Sequence, residues 1–218
     1  MINIIARDLD DAWFQALMAC IKFGKEYTIE RGSFEQCKRR QLDFISIEVM
    51  HPGTRPIIPS MPESCGLPAP TDMNYVNNYL SYLMEDRIED KEIYTYGSSI
   101  KRQIQPVIEM LKNTPKTNQA CMTIGTPNSI FMSDPECLRV ISFKLLDNKL
   151  NMSVFFRSWD LLAGMPSNLA GLQLFKEYIC QEVGCEDGKI FAASDGLHLY
   201  DYQYEIAEAR TGYKIKGE

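Results

Sequence analysis

The sequence predicts an α/β fold of the α+β type: one domain over residues 1–218, with helices packed on a large mixed sheet. Two observations carry that reading. Segments of strand period at 2–6, 42–47, 120–125, 139–157 and 190–193 are interleaved with stretches of helical period. An apolar share of 45% with 24% charged residues supplies one sizeable core, and no repeat or low-complexity stretch divides the chain.

The elements follow in order. Residues 2–6 read as a short buried strand. Asp8 caps a helix whose Trp13, Leu17, Cys20 and Ile21 share a face, and Gly24 stops it. Glu30-Arg31-Gly32-Ser33 is a polar loop, and the basic Lys38-Arg39-Arg40 cluster reads as solvated loop. Leu42 to Ile47 alternates as a strand. Prolines crowd between 52 and 70, which makes that segment extended and wraps it over the surface or over a site. Thr71-Asp72 caps a helix with Val76, Leu80 and Leu83 on one side. Ile100, Ile104, Val107, Ile108 and Leu111 give a further helix, which Pro106 should kink or delay.

Residues 120–125 and 139–157 supply strands, with the hairpin turn at Asp147-Asn148. Leu150, Met152, Val154 and Phe156 lie on one face of the return strand, and Asn151, Ser153, Phe155 and Arg157 on the other. Pro166 to Val183 is apolar on most sides, hence a central buried helix ended by Gly184. Residues 190–193 form a strand and 201–210 a last helix.

Composition excludes several classes. A net charge of −6 argues against a dedicated nucleic-acid binder. Seven cysteines without a C-x-x-C pair suggest neither a disulfide framework nor a zinc site, so no metal is expected and the compartment is reducing and cytoplasmic. Nothing resembles a signal segment or an apolar run of the ~18 residues a membrane span needs, so no membrane role is expected.

Chemistry concentrates around Cys137. A cysteine just before one strand and an arginine at the end of the return strand put a thiol and a cation within reach, and a cationic neighbour favours the nucleophilic thiolate. Cys20, Cys121 and Cys180 read as small buried hydrophobes, Trp159 as packing and His51 as loop.

Taken together, Tyr96-Gly97, Cys137, Arg157-Ser158-Trp159-Asp160, Gly164-Met165-Pro166-Ser167-Asn168-Leu169 and Asp195-Gly196-Leu197-His198-Leu199-Tyr200 resemble the thymidylate synthases, particularly the compact archaeal type. Pyrimidine-nucleotide hydroxymethylases are close relatives of that family. The resemblance implies a thymidylate-synthase-like fold and a methyltransferase that makes dTMP from dUMP. Cys137 would add to C6 of the pyrimidine, turning C5 into a nucleophile toward a methylene group on a reduced pterin. Arg157 and Ser158 would hold the nucleotide phosphate, with Arg31 a looser match to the family's flexible phosphate loop. Asn168 would read the base edge, favouring uracil. His198 and Tyr200 would hold the sugar hydroxyl, Asp160 would face the pterin, and Tyr96 would join the network that removes the C5 proton.

Departures from the family pattern bear on partners. Glu136-Cys137-Leu138 lacks the histidine that usually follows the nucleophile, and Thr117-Asn118-Gln119 stands where larger synthases carry the arginine pair lent to a neighbouring subunit. Glu63, Asp72 and Glu85 are candidates for the proton-relaying carboxylate. The chain ends at Glu218 without the tail that closes over folate in larger members, so the cosubstrate is methylene-tetrahydrofolate or methylene-tetrahydromethanopterin. A homodimer is the family expectation. Two alternatives stay open: a 5-hydroxymethylase of pyrimidine nucleotides, in which water attacks the exocyclic methylene, and a non-catalytic nucleotide-binding relative.

Overall fold

The computed structural model describes residues 1–31, 34–88 and 93–215; Gly32 and Ser33 of the predicted polar loop and the last three residues lie outside them. The strands are β1 (Ile2–Ala6), β2 (Lys25–Thr28), β3 (Lys38–Gln41), β4 (Ile45–Val49), β5 (Cys121–Thr123), β6 (Leu138–Leu146), β7 (Lys149–Phe156), β8 (Trp159–Asp160), β9 (Glu186–Ser194) and β10 (Leu197–Tyr200). The helices are α1 (Leu9–Phe23), α2 (Met73–Met84), α3 (Gly97–Asn113), α4 (Gly164–Val183) and α5 (Tyr204–Thr211).

Where one large sheet is expected, the described residues form two, both mixed. The six-stranded sheet runs β1-β4-β9-β7-β6-β5, the four-stranded one β2-β3-β10-β8. Register shows why the larger sheet holds the core. Ile4, Ile47, Ala192, Val154, Ile141 and Met122 stand opposite one another in a single row across all six strands, each at most 5% exposed. The next row, Ile5, Glu48, Phe191, Ser153, Ser142 and Cys121, points the other way, because side chains alternate along a strand. Cys121 is accordingly exposed, not the buried hydrophobe the sequence suggests, whereas Cys20 and Cys180 are buried. β1 is likewise only half-buried, with Ile5 61% exposed at the sheet edge.

The central hairpin forms as its turn residues dictate. Asp147 and Asn148 both adopt positive φ, 50° and 61°, the pair of left-handed residues that a two-residue hairpin needs. Helix boundaries follow caps: Asp8 accepts from the Asp11 amide, Asp72 from the Tyr75 amide, and Gly184 closes α4 at φ 79°. α4 buries Leu169, Leu172, Phe175 and Ile179, as a central helix should.

Other boundaries differ from expectation. α3 runs unbroken through Pro106, and both Pro106 and Arg102, whose carbonyl the missing N–H leaves without its helical donor, lie on the exposed side of the helix. β4 begins at Ile45 instead of 42, β9 is longer than residues 190–193, and α5 starts only after a 3₁₀ turn at Asp201–Gln203. Most consequentially, Lys38-Arg39-Arg40 is strand β3, paired on both sides. Among the described residues no helix is long and apolar enough to cross a membrane.

Candidate active site

The hairpin delivers the central pair. The Arg157 amide donates to the Cys137 carbonyl at 2.9 Å, so the ladder seats the two residues side by side. The register shifts between Leu138 and Val140, bending β6 just beyond the cysteine. Arg157 then turns back on the preceding segment. Its Nε donates to the Glu136 carbonyl at 3.1 Å, and a terminal nitrogen bonds the Pro135 carbonyl and, at 3.2 Å, the Asp134 carboxylate. Glu136 in turn pairs with Arg139 at 2.9 Å.

A polar cavity of 260 Å³ opens over this pair. It brings together Cys137, Arg157, Ser158, Asp160, His198, Tyr200 and Arg31, and it adds Arg39, Phe34 and Asp134. The four-stranded sheet forms one wall. One cross-strand row is Lys25, Gln41, His198 and Asp160; the neighbouring row is Tyr27, Arg39 and Tyr200. Arg40 alternates away, where its Nε bonds the Cys20 carbonyl at 3.1 Å. The basic cluster is thus a strand whose Arg39 faces the cavity, a signal hidden because neither of its faces is apolar.

A second cavity of 390 Å³ is lined by Tyr75, Asn78, Tyr79, Tyr82, Tyr96 and Asn168. Its α2 residues fall at i, i+3, i+4 and i+7, a helical stripe legible in the sequence beside the apolar Val76–Leu80–Leu83 side. Gly171 lets that stripe approach α4, since a Cβ there would lie 2.6 Å from the Tyr79 ring. The walls of the two cavities approach each other beside Cys137. Tyr96 Oη accepts from the Leu138 amide at 3.2 Å, and a Cβ on Gly164 would lie 3.1 Å from Asp160 Cβ and 3.8 Å from Asn168 Oδ1.

None of the carboxylates expected as proton relays lines either cavity. Asp72 is spent on capping α2, Glu63 sits in an exposed 3₁₀ turn, and Glu85 ends α2 beyond the Tyr82 stripe. Asn78 stands on the wall shared with Asn168 and Tyr96 instead.

Electrostatics correct one expectation. Burial raises the Cys137 thiol pKa above the ordinary value of 9.0, and the opposing pull of Arg157 is smaller. The unliganded site therefore holds a thiol. Burial also raises the Tyr96 phenol well above its usual range, so Tyr96 is neutral. His198 is pushed below the ordinary imidazole value, again chiefly by burial. Its Nδ1 lies 2.7 Å from the Gly196 carbonyl, which can only accept, so Nδ1 carries the proton and buried Nε2 is an acceptor lacking a described partner.

Two further residues are held rigidly. Asn168 Oδ1 accepts from the Trp159 indole at 3.0 Å, while Trp159 stacks on Phe156 at 4.3 Å, so the tryptophan both packs and orients. Asp160 Oδ1 accepts from the Leu162 amide at 2.9 Å and from Gln203 Nε2 at 3.1 Å.

Comparison with known proteins bears on this arrangement. The sequence profile of the family described as thymidylate synthase matches residues 81–214, which contain the lining residues of both cavities except Ile29, Arg31, Phe34 and Arg39 in one and Tyr75, Asn78 and Tyr79 in the other. A Methanosarcina mazei protein named "Putative thymidylate synthase" is 31% identical over 215 residues, 94% of this chain and 92% of its own length. A counterpart of the same name from Methanosarcina acetivorans is 29% identical over 94% of this chain and 92% of its own. The thymidylate synthase of Listeria monocytogenes strain HCC23 is 31% identical over 117 residues, 52% of this chain and 37% of that protein.

Proposed function

The chain belongs to the thymidylate synthase family, and from that premise we propose that it methylates dUMP at C5, using Cys137 as nucleophile and a methylene-carrying reduced pterin as cosubstrate. The observation that carries the reading is that Cys137 shares one cavity with Arg157, Ser158 and His198. A thiol alone would be unremarkable; a thiol facing phosphate-binding and sugar-binding groups is suited to a nucleotide.

The roles follow from chemistry. Cys137 Sγ adds to C6 and C5 gains carbanion character. C5 takes the methylene group from the pterin, loses its proton, and the pterin amine leaves to give an exocyclic methylene on the base. Hydride from the same pterin completes the methyl group as Sγ is expelled, and the pterin ends as the dihydro form. Arg157 and Ser158, with Arg31, hold the 5′-phosphate. His198 Nε2 accepts from the 3′-hydroxyl, with Tyr200 beside it at a ring distance of 4.8 Å. Tyr96, as a neutral phenol, works within the hydrogen-bonded network at C5, and Asp160 faces the pterin. The tyrosines of α2 offer aromatic faces against which a pterin ring can stack.

Asn168 supports uridylate over cytidylate. The indole N–H of Trp159 can only donate, so the amide oxygen is fixed and a flip would forfeit that bond. The Nδ2 donors are left to meet uracil O4, and the second lone pair of Oδ1 takes N3–H. Cytosine would present an amino donor to an amide donor at the same place.

A homodimer would use the outward row of the six-stranded sheet, where Ile5 and Phe191 are 61% and 37% exposed. A second copy of that face would cover them.

The test is product mass. Incubation with dUMP and methylene-tetrahydrofolate, or its methanopterin counterpart, should yield a nucleotide heavier than dUMP by one methylene. A 5-hydroxymethyl product would replace this reading with the hydroxymethylase one. Nucleotide binding without turnover or covalent adduct to a 5-fluoro analogue would leave a binding protein.

A further inference from the structure

Arg39 belongs to none of the motifs that suggest a nucleotide site, yet it lines the Cys137 cavity together with Arg31 and Arg157. We infer that Arg39 is a third phosphate-gripping arginine, supplied by this chain's own strand β3; the inference rests on the nucleotide reading above.

Position comes first. β3 pairs antiparallel with both β2 and β10, and Arg39 stands directly between Tyr27 and Tyr200. Residues directly opposite across antiparallel strands project from the same face, so Arg39 shares the face that presents Tyr200 and His198 to the cavity. Its positive field reaches both, opposing protonation of His198 and favouring ionisation of Tyr200.

Pre-organisation comes second. Arg39 Nε donates to Tyr27 Oη at 2.9 Å, and Tyr27 Oη donates to Gln41 Oε1 at 2.6 Å. The guanidinium also lies 4.9 Å from the centroid of the Tyr27 ring. Hydrogen bond and cation–π contact together hold its plane, leaving the terminal N–H groups as the fork that can grip an anion in bidentate fashion. A long side chain merely covering surface needs no such chain of bonds.

Charge comes third. Three arginines, Arg31, Arg39 and Arg157, face two carboxylates, Asp134 and Asp160, in the cavity wall, a local balance of +1 on a chain whose net charge is −6. Arg157 is already engaged with Asp134 at 3.2 Å. A phosphate dianion therefore needs more than Arg157, and Arg39 lines the same cavity. Arg39 supplies the missing charge in cis.

The experiment compares dissociation constants of dUMP and of deoxyuridine, which lacks the phosphate, for the parent chain, Arg39→Gln, Arg39→Lys and Tyr27→Phe. Charge-assisted hydrogen bonds set the expected loss for dUMP in Arg39→Gln at about tenfold to hundredfold, with deoxyuridine binding changed less than about twofold. Arg39→Lys keeps the charge but loses the fork, so its dUMP loss should be smaller. Tyr27→Phe should lose a few-fold for dUMP alone, on the order of one neutral hydrogen bond. Equal losses for nucleotide and nucleoside, or unchanged dUMP binding in Arg39→Gln, would overturn the inference while leaving the nucleotide reading intact. A parent chain that binds neither dUMP nor another pyrimidine nucleotide would overturn both. A melting temperature of the unliganded variants close to the parent's shows that the comparison concerns the ligand and not folding.

Discussion

The two sheets are built on opposite plans. The six-stranded sheet carries an unbroken apolar row from Ile4 to Met122 under the helices, and its geometry is set by burial. The four-stranded sheet shows the cavity Arg39, Asp160, His198 and Tyr200, which are held by hydrogen bonds and ring contacts. Two of the chain's crossings from the larger sheet to the smaller fall at Arg157-Ser158, between β7 and β8, and at Asp195-Gly196, between β9 and β10. On the proposed function, stability resides mainly in the first sheet and recognition in the second, with the proposed nucleophile Cys137 at the seam.

That division can be broken most directly by core truncation. Phe143 is fully buried on the six-stranded sheet and meets Phe175 edge-on at 6.1 Å. Phe143→Ala should cost about 3–5 kcal/mol in denaturant unfolding, through lost burial and the cavity left behind. Arg39→Gln, on the other sheet, should cost less than about 1 kcal/mol. Similar losses from both would dissolve the distinction.

A smaller effect is expected at the seam itself. Tyr96→Phe removes the acceptor of the Leu138 amide, which sits beside Cys137. A buried N–H left unpaired should cost about 1–3 kcal/mol of stability, and turnover should fall alongside. Unchanged urea midpoints would mean that water or backbone movement satisfies the amide.

Trp159→Phe sharpens the comparison further, because the ring stacking on Phe156 is kept while the bond to Asn168 is lost. Stability should change by about 1 kcal/mol or less. The preference for dUMP over dCMP should fall about tenfold, the equivalent of one hydrogen bond's discrimination. A preference that survives intact would show that Asn168 is oriented by something else.

The subtlest effect concerns protons. With its pKa raised by burial, Cys137 should be alkylated slowly at pH 7, and the rate should still be climbing at pH 9.0. Because Arg157 lowers that pKa, Arg157→Gln should move the midpoint to still higher pH. Cys20 and Cys180, pushed up to about 12, stay silent, so peptide mapping need separate only the more accessible thiols. A midpoint below 9.0 in the unliganded chain would contradict the burial account.

The same division explains what the sequence discloses. Apolar alternation announces β6 and β7, caps announce α1 and α2, and Asp147-Asn148 announces the turn. β3 is not announced, because Lys38-Arg39-Arg40-Gln41 faces Glu26 and α1 on one side and a polar cavity on the other. The Cys137–Arg157 neighbourhood follows from hairpin arithmetic, whereas Ser158, Asn168, His198 and Tyr200 stand out only through a family resemblance. The tyrosines of α2 are visible as a stripe, yet next to an apolar stripe such residues read as surface. The thiol's raised pKa depends on burial, which no sequence spacing reveals.

On the proposed mechanism, Cys137 drives chemistry at C5 of a uridylate. That role is tested most directly by release of tritium from C5-labelled dUMP in the presence of a methylene-tetrahydropterin. The parent chain should release tritium to water, and Cys137→Ser should lose at least about a thousandfold in rate while binding dUMP within a few-fold of the parent. Release undiminished in the serine variant, or none from a parent chain that binds dUMP and either pterin, would contradict it.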